Sequence, residues 1–366
     1  MRATSIVIFT LLILLSCPAR SGVAAPVGAA RAPTPCFLQR ASDAISRLQN
    51  NWYNPQTGLW NTTGWWNAAN AVTVLVEYSK LSASDQYLSA VSSTFSRNVR
   101  RGFLNNYYDD EGWWALAWIA AYDQTHKVTY LNAASSIFAN MTTGWDDTCG
   151  GGVWWSKDRA YKNAIANELF LSVAARLANR VTDTSQRAAA LSWAQREWQW
   201  FSQSGMINSE NLINDGLSSN CRNNHKTEWS YNQGVILGGL SALFADTHDA
   251  ALLKTAQAIA MAAISHLTDS HGTLHDVCEP NCGADGVQFK GIFVRNLARL
   301  DRAVPQRRYA TFLRANAESI WKNDQGPGYQ FGQVWSGPFE NQDSGNAASQ
   351  TSAIDAFLAA AGVSSQ

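Results

Sequence analysis

A chain of 366 residues, 46% hydrophobic and 15% charged, is long enough to bury a large core and too low in charge to be disordered. Its 28 basic and 28 acidic side chains cancel, which gives no electrostatic reason to expect a nucleic acid or an anionic membrane as partner. The unusual figure is 16 tryptophans, whose flat apolar faces, each with one donor at the rim, suit stacking on sugar rings as well as core packing.

Residues 1–25 read as a signal peptide. Arg2 supplies the positive start, Ile6 to Leu15 a short apolar run, and Val23-Ala24-Ala25 the small residues of a cleavage site. The run is too short to span a bilayer. A second reading takes Leu14-Leu15-Ser16-Cys17 as a bacterial lipid-attachment box, which Leu15 fits poorly. The tail Ala359 to Gln366 lacks the hydrophobic end of a lipid-anchor signal. The mature chain, 26–366, is expected to be secreted, extracellular or associated with a cell wall, free of the membrane, and monomeric.

Twelve helical segments follow from period and punctuation, near 36–50, 64–80, 84–102, 109–124, 127–142, 161–179, 186–204, 227–246, 248–267, 287–303, 306–322 and 345–361. Strand signals are few and fall in loops, as at Gly151-Gly152-Val153-Trp154-Trp155. No Pro-rich or Gly/Ser-rich linker divides the chain, so one domain is expected. The segments alternate in character. Even-numbered ones are poor in charge and rich in small residues, such as Gly234-Val235-Ile236-Leu237-Gly238-Gly239-Leu240; odd-numbered ones carry a polar face. A helix without a polar face should be buried all round. Six buried helices alternating with six amphipathic ones predict an all-α (α/α)6 barrel. The loops before the even helices are long, hold most of the Gly, Asn, Trp and Cys, and gather on the face where the inner helices begin. Binding residues concentrate on such loops.

Beyond the signal there are five cysteines, and secretion favours disulfides. Cys278 and Cys282 flank a tight loop and are expected to pair. Cys149 and Cys221, both in Gly/Asn-rich loops, are the second pair, leaving Cys36 over. His271, His275, Cys278 and Cys282 also have spacings that resemble a zinc site, but an oxidising compartment favours the local disulfide, so no metal and no cofactor are expected. Asn61 and Asn140 lie in glycosylation acceptors, for a eukaryotic host.

The stretch Asn105-Asn106-Tyr107-Tyr108-Asp109-Asp110-Glu111-Gly112-Trp113-Trp114 sets adjacent carboxylates among four rings at the start of the fourth segment. Apolar surroundings make ionised carboxylates hard to solvate, so folding gains little from this placement. Paired carboxyls are the equipment of glycoside hydrolysis, one acting as acid and the other as nucleophile or base. The helix N-terminus favours one ionised carboxylate, while the like charge and the rings raise the pKa of the other.

Gly58 to Asn67, Tyr108 to Trp114, Trp145 to Trp155 and Thr227 to Gly234, extended by Phe289 to Arg295, resemble glycoside hydrolase family seventy-six over nearly the whole mature chain. That family comprises endo-α-1,6-mannanases and related fungal cell-wall proteins. The resemblance implies the same barrel, a retaining mechanism on α-1,6-linked mannan, Asp109 as nucleophile and Asp110 as acid/base. Anchored fungal relatives, thought to be transglycosylases, carry a hydrophobic C-terminus that this chain lacks. Other readings are an activity on another polysaccharide and a non-catalytic glycan-binding barrel. Substrate contacts are expected from Tyr108 and Trp113, and stacking platforms from among Trp65, Trp66 and Trp154, some of which belong to the core. Tyr231, Asn232 and Gln233 open the eighth segment, to touch sugar hydroxyls or to cap the helix. Asp146 and Asp147 are expected to turn a glycine-rich loop, with substrate contact as a second role. Lys290 is expected either to pair with a carboxylate in the site or to reach outward to solvent.

Overall fold

A computed structural model describes residues 34–339 and 345–364; the signal peptide, the lipid-box reading and the last two residues lie outside them. Among the described residues there are twelve long helices: α1 Thr34–Trp52, α2 Trp65–Ser82, α3 Leu88–Asn98, α4 Tyr108–Thr125, α5 Val128–Met141, α6 Ala164–Ala178, α7 Thr184–Gln203, α8 Ser230–Thr247, α9 Ala250–His266, α10 Phe289–Ala303, α11 Ala310–Asn323 and α12 Ala347–Ser364. Among the described residues strand is confined to two antiparallel hairpins of two-residue strands, Tyr53–Asn54 with Leu59–Trp60 and Gln325–Gly326 with Gln330–Phe331.

The even-numbered helices pack in a closed ring, α2 on α4, α4 on α6, and so on through α12 back to α2. The odd ones lie outside, α5 on α4, α7 on α6, α9 on α8, and α1 and α11 on α12. This is the (α/α)6 barrel that the alternation predicts. Glycines make the inner ring tight. A Cβ on Gly234 of α8 would stand 2.5 Å from Phe293 Cα, and one on Gly291 of α10 would stand 2.6 Å from Ser352 Cα. No real Cβ tolerates such distances, so these crossings need a residue without one. Larger side chains fill the remaining space: Trp114 and Trp118 of α4 are fully buried and stack on each other, with Phe103 against both.

Connections at one end are short. Two residues join α4 to α5 and α8 to α9, with His126 and His248 reversing the chain at φ 55° in each. Those at the other end are long, and there every inner helix begins. Among the described residues no helix is long and apolar enough to cross a membrane.

Candidate active site

Asp109, Asp110 and Glu111 occupy the first turn of α4, where unsatisfied N–H groups favour carboxylates. Successive helical residues point roughly 100° apart, so three carboxyls leave the helix in three directions. Asp109 Oδ2 accepts the indole N–H of Trp155 at 3.0 Å, and its Oδ1 is buried with no hydrogen-bond partner among the described residues. Asp110 Oδ2 accepts the side-chain amide of Asn105 at 2.5 Å. Asn105 Oδ1 in turn accepts the N–H of Tyr107 at 2.8 Å, fixing the chain as it enters the helix. Glu111 turns away from this pair. Fully buried, it accepts Asn140 Nδ2 at 2.6 Å and Lys157 Nζ at 2.8 Å, and so joins α4 to α5 and to the following loop.

Burial raises both aspartates above the usual carboxylate range. For Asp109 the second cause is the neighbouring Asp110 charge, and the rise is large even though Trp155 and backbone N–H groups oppose it. Asp110 is pushed up to about 6, by burial first, with Asp285 and Glu111 adding and the Asn105 bond opposing. The sequence predicts a split pair with Asp109 the ionised member. Both members of the pair are raised by burial, and they titrate as one coupled unit.

The rim comes from three other inner-helix starts. Trp66 at the head of α2 donates its indole N–H to Asp285 Oδ1 at 2.7 Å and stacks on Trp113 at 5.5 Å. Asp285 stands on a helical turn, Gly283–Gly286, next to the Cys278–Cys282 disulfide. Tyr231, near the start of α8, stacks on Phe289 at 3.8 Å; burial and then the charge of Asp109, ahead of three further carboxylates, raise its phenol well above its ordinary range. Trp155 and Asp285 are thus site residues that the sequence reading does not single out. Their signal was present only as position, Trp155 beside the quoted Trp154 and Asp285 in a long loop.

Other candidates are placed elsewhere. Tyr108 is buried and its hydroxyl lies 3.2 Å from Thr143 Oγ1, which makes it packing beneath the loop rather than a surface for sugar. Trp65 packs into the core against Trp114 at 4.7 Å, while Trp113 is buried and backs Trp66. Trp154 donates to Asp146 Oδ2 at 2.7 Å and faces away from the pair that its neighbour Trp155 reaches; alternate residues of an extended segment point to opposite sides. Asp146 also accepts Lys162 Nζ at 2.9 Å, and Trp154, Lys162 and Thr148 hold it at a pKa of about 2 against its partial burial. Asp147 is solvated, at 96% exposure. Lys162, 2% exposed, donates as well to the carbonyls of Thr148 and Gly151 at 2.6 Å each, so the glycine-rich loop folds around a buried ammonium.

Lys290 repeats that device. It pairs with buried Glu279 and donates to the Gln333 carbonyl at 2.7 Å, so it neither reaches solvent nor meets the aspartate pair. Gln233 exchanges two 2.8 Å bonds with the backbone of Ile213 and ties a loop to α8. Asn232 is fully buried, and neither amide atom has a partner among the described residues. Asp276 caps α8, accepting Ser230 N–H at 2.9 Å and its hydroxyl at 2.6 Å.

Cys149–Cys221 and Cys278–Cys282 are bonded as the sequence predicts. Cys36, left over in the sequence reading, is disulfide-bonded too. With Cys278 and Cys282 consumed, no thiolate remains there for zinc, and His275 Nδ1 lies 3.1 Å from Glu279 instead. Asn61 is exposed, whereas the Asn140 amide nitrogen faces Glu111.

The family profile described as Glycosyl hydrolase family 76 matches residues 38–364. Mannan endo-1,6-alpha-mannosidase DCW1 of Candida albicans is 28% identical over 277 residues, 66% of this chain and 59% of that protein. Mannan endo-1,6-alpha-mannosidase DFG5 of the same organism is 28% identical over 309 residues, 74% and 66% respectively. The chain therefore spans less than two thirds of the length of these relatives. Among solved structures, the α-1,6-mannanase GH76A of Salegentibacter sp. HEL1_6 superposes with a TM-score of 0.79 at 23% identity, over 89% of this chain and 99% of that one. An inactive variant of that enzyme, with two consecutive aspartates changed to alanine and α-1,6-mannotetrose bound, gives the same TM-score at 22% identity, again over 89% and 99%. Closed barrel, paired aspartates and a profile match across nearly all of the described residues agree: the chain belongs to glycosyl hydrolase family 76.

Proposed function

We propose that the chain is a secreted, retaining glycoside hydrolase that cleaves internal α-1,6-mannosidic linkages of mannan. The observation that carries this reading is the Asp109–Asp110 pair at the head of α4, between the indoles of Trp155 and Trp66. The names of the relatives support the linkage, and the inactivity of the two-aspartate variant supports the chemistry.

Asp109 is the nucleophile. Trp155 holds Oδ2, and the unpartnered Oδ1 keeps its lone pairs for the anomeric carbon. Asp110 gives its proton to the departing glycosidic oxygen while the Asp109 ester forms. It then takes a proton from the water that breaks the ester, which returns both carboxyls to their starting state. Two carboxyls with one proton suffice. A glycosidic oxygen accepting from Asp110 favours the proton there, and positive charge building on the anomeric carbon favours ionised Asp109.

Incubation with unbranched α-1,6-mannan tests the reading: short oligomers support endo-hydrolysis, longer products indicate transfer to sugar acceptors, and an unchanged polymer refutes both. Asp110→Ala should retain the first step on an activated aryl α-mannoside, and added azide should yield the α-mannosyl azide. A β-azide would sink the retaining assignment.

A further inference from the structure

Opening at the far end of the barrel from the aspartate pair, a cavity of about 610 Å³ is lined mainly by the C-terminal halves of α2, α4, α6, α8 and α10. Trp113, whose ring stacks with Trp66 of the rim, forms part of its wall. The chain as a whole has no net charge, yet six cationic side chains line this space, Lys80, Arg176, Arg180, Arg295, Arg299 and Arg302, against two carboxylates, Glu77 and Asp123.

Each nearby carboxylate is already claimed. Arg180 takes Asp123 through two 2.6 Å bonds, and Arg299 takes Glu77 at 3.0 Å. Arg295 takes Asp355 of α12 at 3.0 and 3.2 Å and adds Asn70 of α2. No carboxylate of the described residues lies within ion-pair distance of Arg176, whose Nε donates to Ser172 Oγ at 3.3 Å. Arg176 is half-buried, and desolvation, followed by the charges of Arg299 and Arg180, makes its cation costly to hold. A guanidinium stays protonated at any ordinary pH, so loss of the proton does not relieve that cost, whereas an anion beside it would. The inner-helix C-termini supply part of that negative charge through their carbonyl dipoles, and Arg180 does donate to the Arg176 carbonyl at 2.8 Å. That bond satisfies Arg180 and leaves Arg176 facing the cavity.

We propose that this cavity is a second ligand site, distinct from the aspartate pair, that binds a small multivalent oxyanion of the phosphate class among Arg176, Arg299 and Lys80. Cations from several helices around one space suit several acceptor oxygens and more than one charge, which a lone carboxylate does not offer. Exposed Lys80, Asn179 and Arg302 mark the entrance from solvent.

Inorganic phosphate and pyrophosphate, titrated calorimetrically and by thermal denaturation against chloride at constant ionic strength, test this on the full mature chain. Saturable binding of pyrophosphate is expected, with a rise in Tm of roughly 5 °C at a hundredfold excess over Kd. Arg176→Gln should abolish it. Lys80→Glu changes only an exposed residue, so folding is preserved, and it should weaken binding several-fold. Asp109→Asn with Asp110→Asn should leave it intact, because those carboxyls lie at the other end. Absence of saturable binding of both anions, or affinity unchanged in Lys80→Glu, would overturn the proposal and leave the guanidiniums as counter-charges to the helix ends.

Discussion

Asp110→Asn should make the protein more stable at neutral pH while it destroys turnover on mannan. Burial, with the Asp285 and Glu111 charges, lifts the Asp110 carboxyl from 3.8 to about 6. A carboxyl whose folded pKa lies above its unfolded one binds its proton more tightly in the native state. Its contribution is therefore neutral at a pH below about 4 and increasingly unfavourable as pH climbs through the interval to about 6. Two pH units correspond to about 3 kcal/mol, an upper limit because Asp110 keeps some contact with solvent. Asparagine removes the charge and retains an oxygen to accept from Asn105. At pH 7 the variant should gain about 2–3 kcal/mol, read as roughly 5 °C in Tm for a chain of this size, and the gain should vanish near pH 4. Circular-dichroism melts at both pH values decide it. A variant no more stable than wild type at pH 7, or a gain of equal size at both, would refute the burial argument.

Turnover should peak where the pair holds one proton. It should fall below about pH 6 as the second proton binds and fall again at higher pH as the last one leaves, both limbs belonging to the coupled pair. Asn105→Ala removes the bond that lowers Asp110 and should move the acid limb upward, measured as kcat/KM against pH. Trp66→Ala should weaken mannooligosaccharide binding by roughly 1–3 kcal/mol with the fold intact, taking aromatic stacking on nucleobases as the guide, whereas Trp65→Ala should lower Tm and spare affinity in the folded fraction; the reverse pattern would exchange their roles. Gly234→Ala drives a methyl into the Phe293 backbone and should cost about 3 kcal/mol or prevent folding, seen in urea denaturation.

Helix number, order and boundaries to within a few residues were legible in the chain, because a buried helix and a half-exposed one differ in local pattern. The run Gly234 to Leu240 has no polar face and lies buried throughout. The loop lengths then told at which barrel end the inner helices begin, and the adjacent aspartates stand at that end as the candidate site. What each loop side chain touches was not legible, since it depends on contacts between distant segments. Trp155 reaches Asp109 across 46 positions and Trp66 reaches Asp285 across 219. Half a pleat separates Trp154, bound to Asp146, from Trp155, and no composition or spacing distinguishes the two. What Lys162 and Lys290 do is decided by the carbonyls and carboxylates that the fold assembles around them. The rise of both aspartate pKa values is likewise a tertiary property, because only the folded barrel buries the two carboxyls side by side.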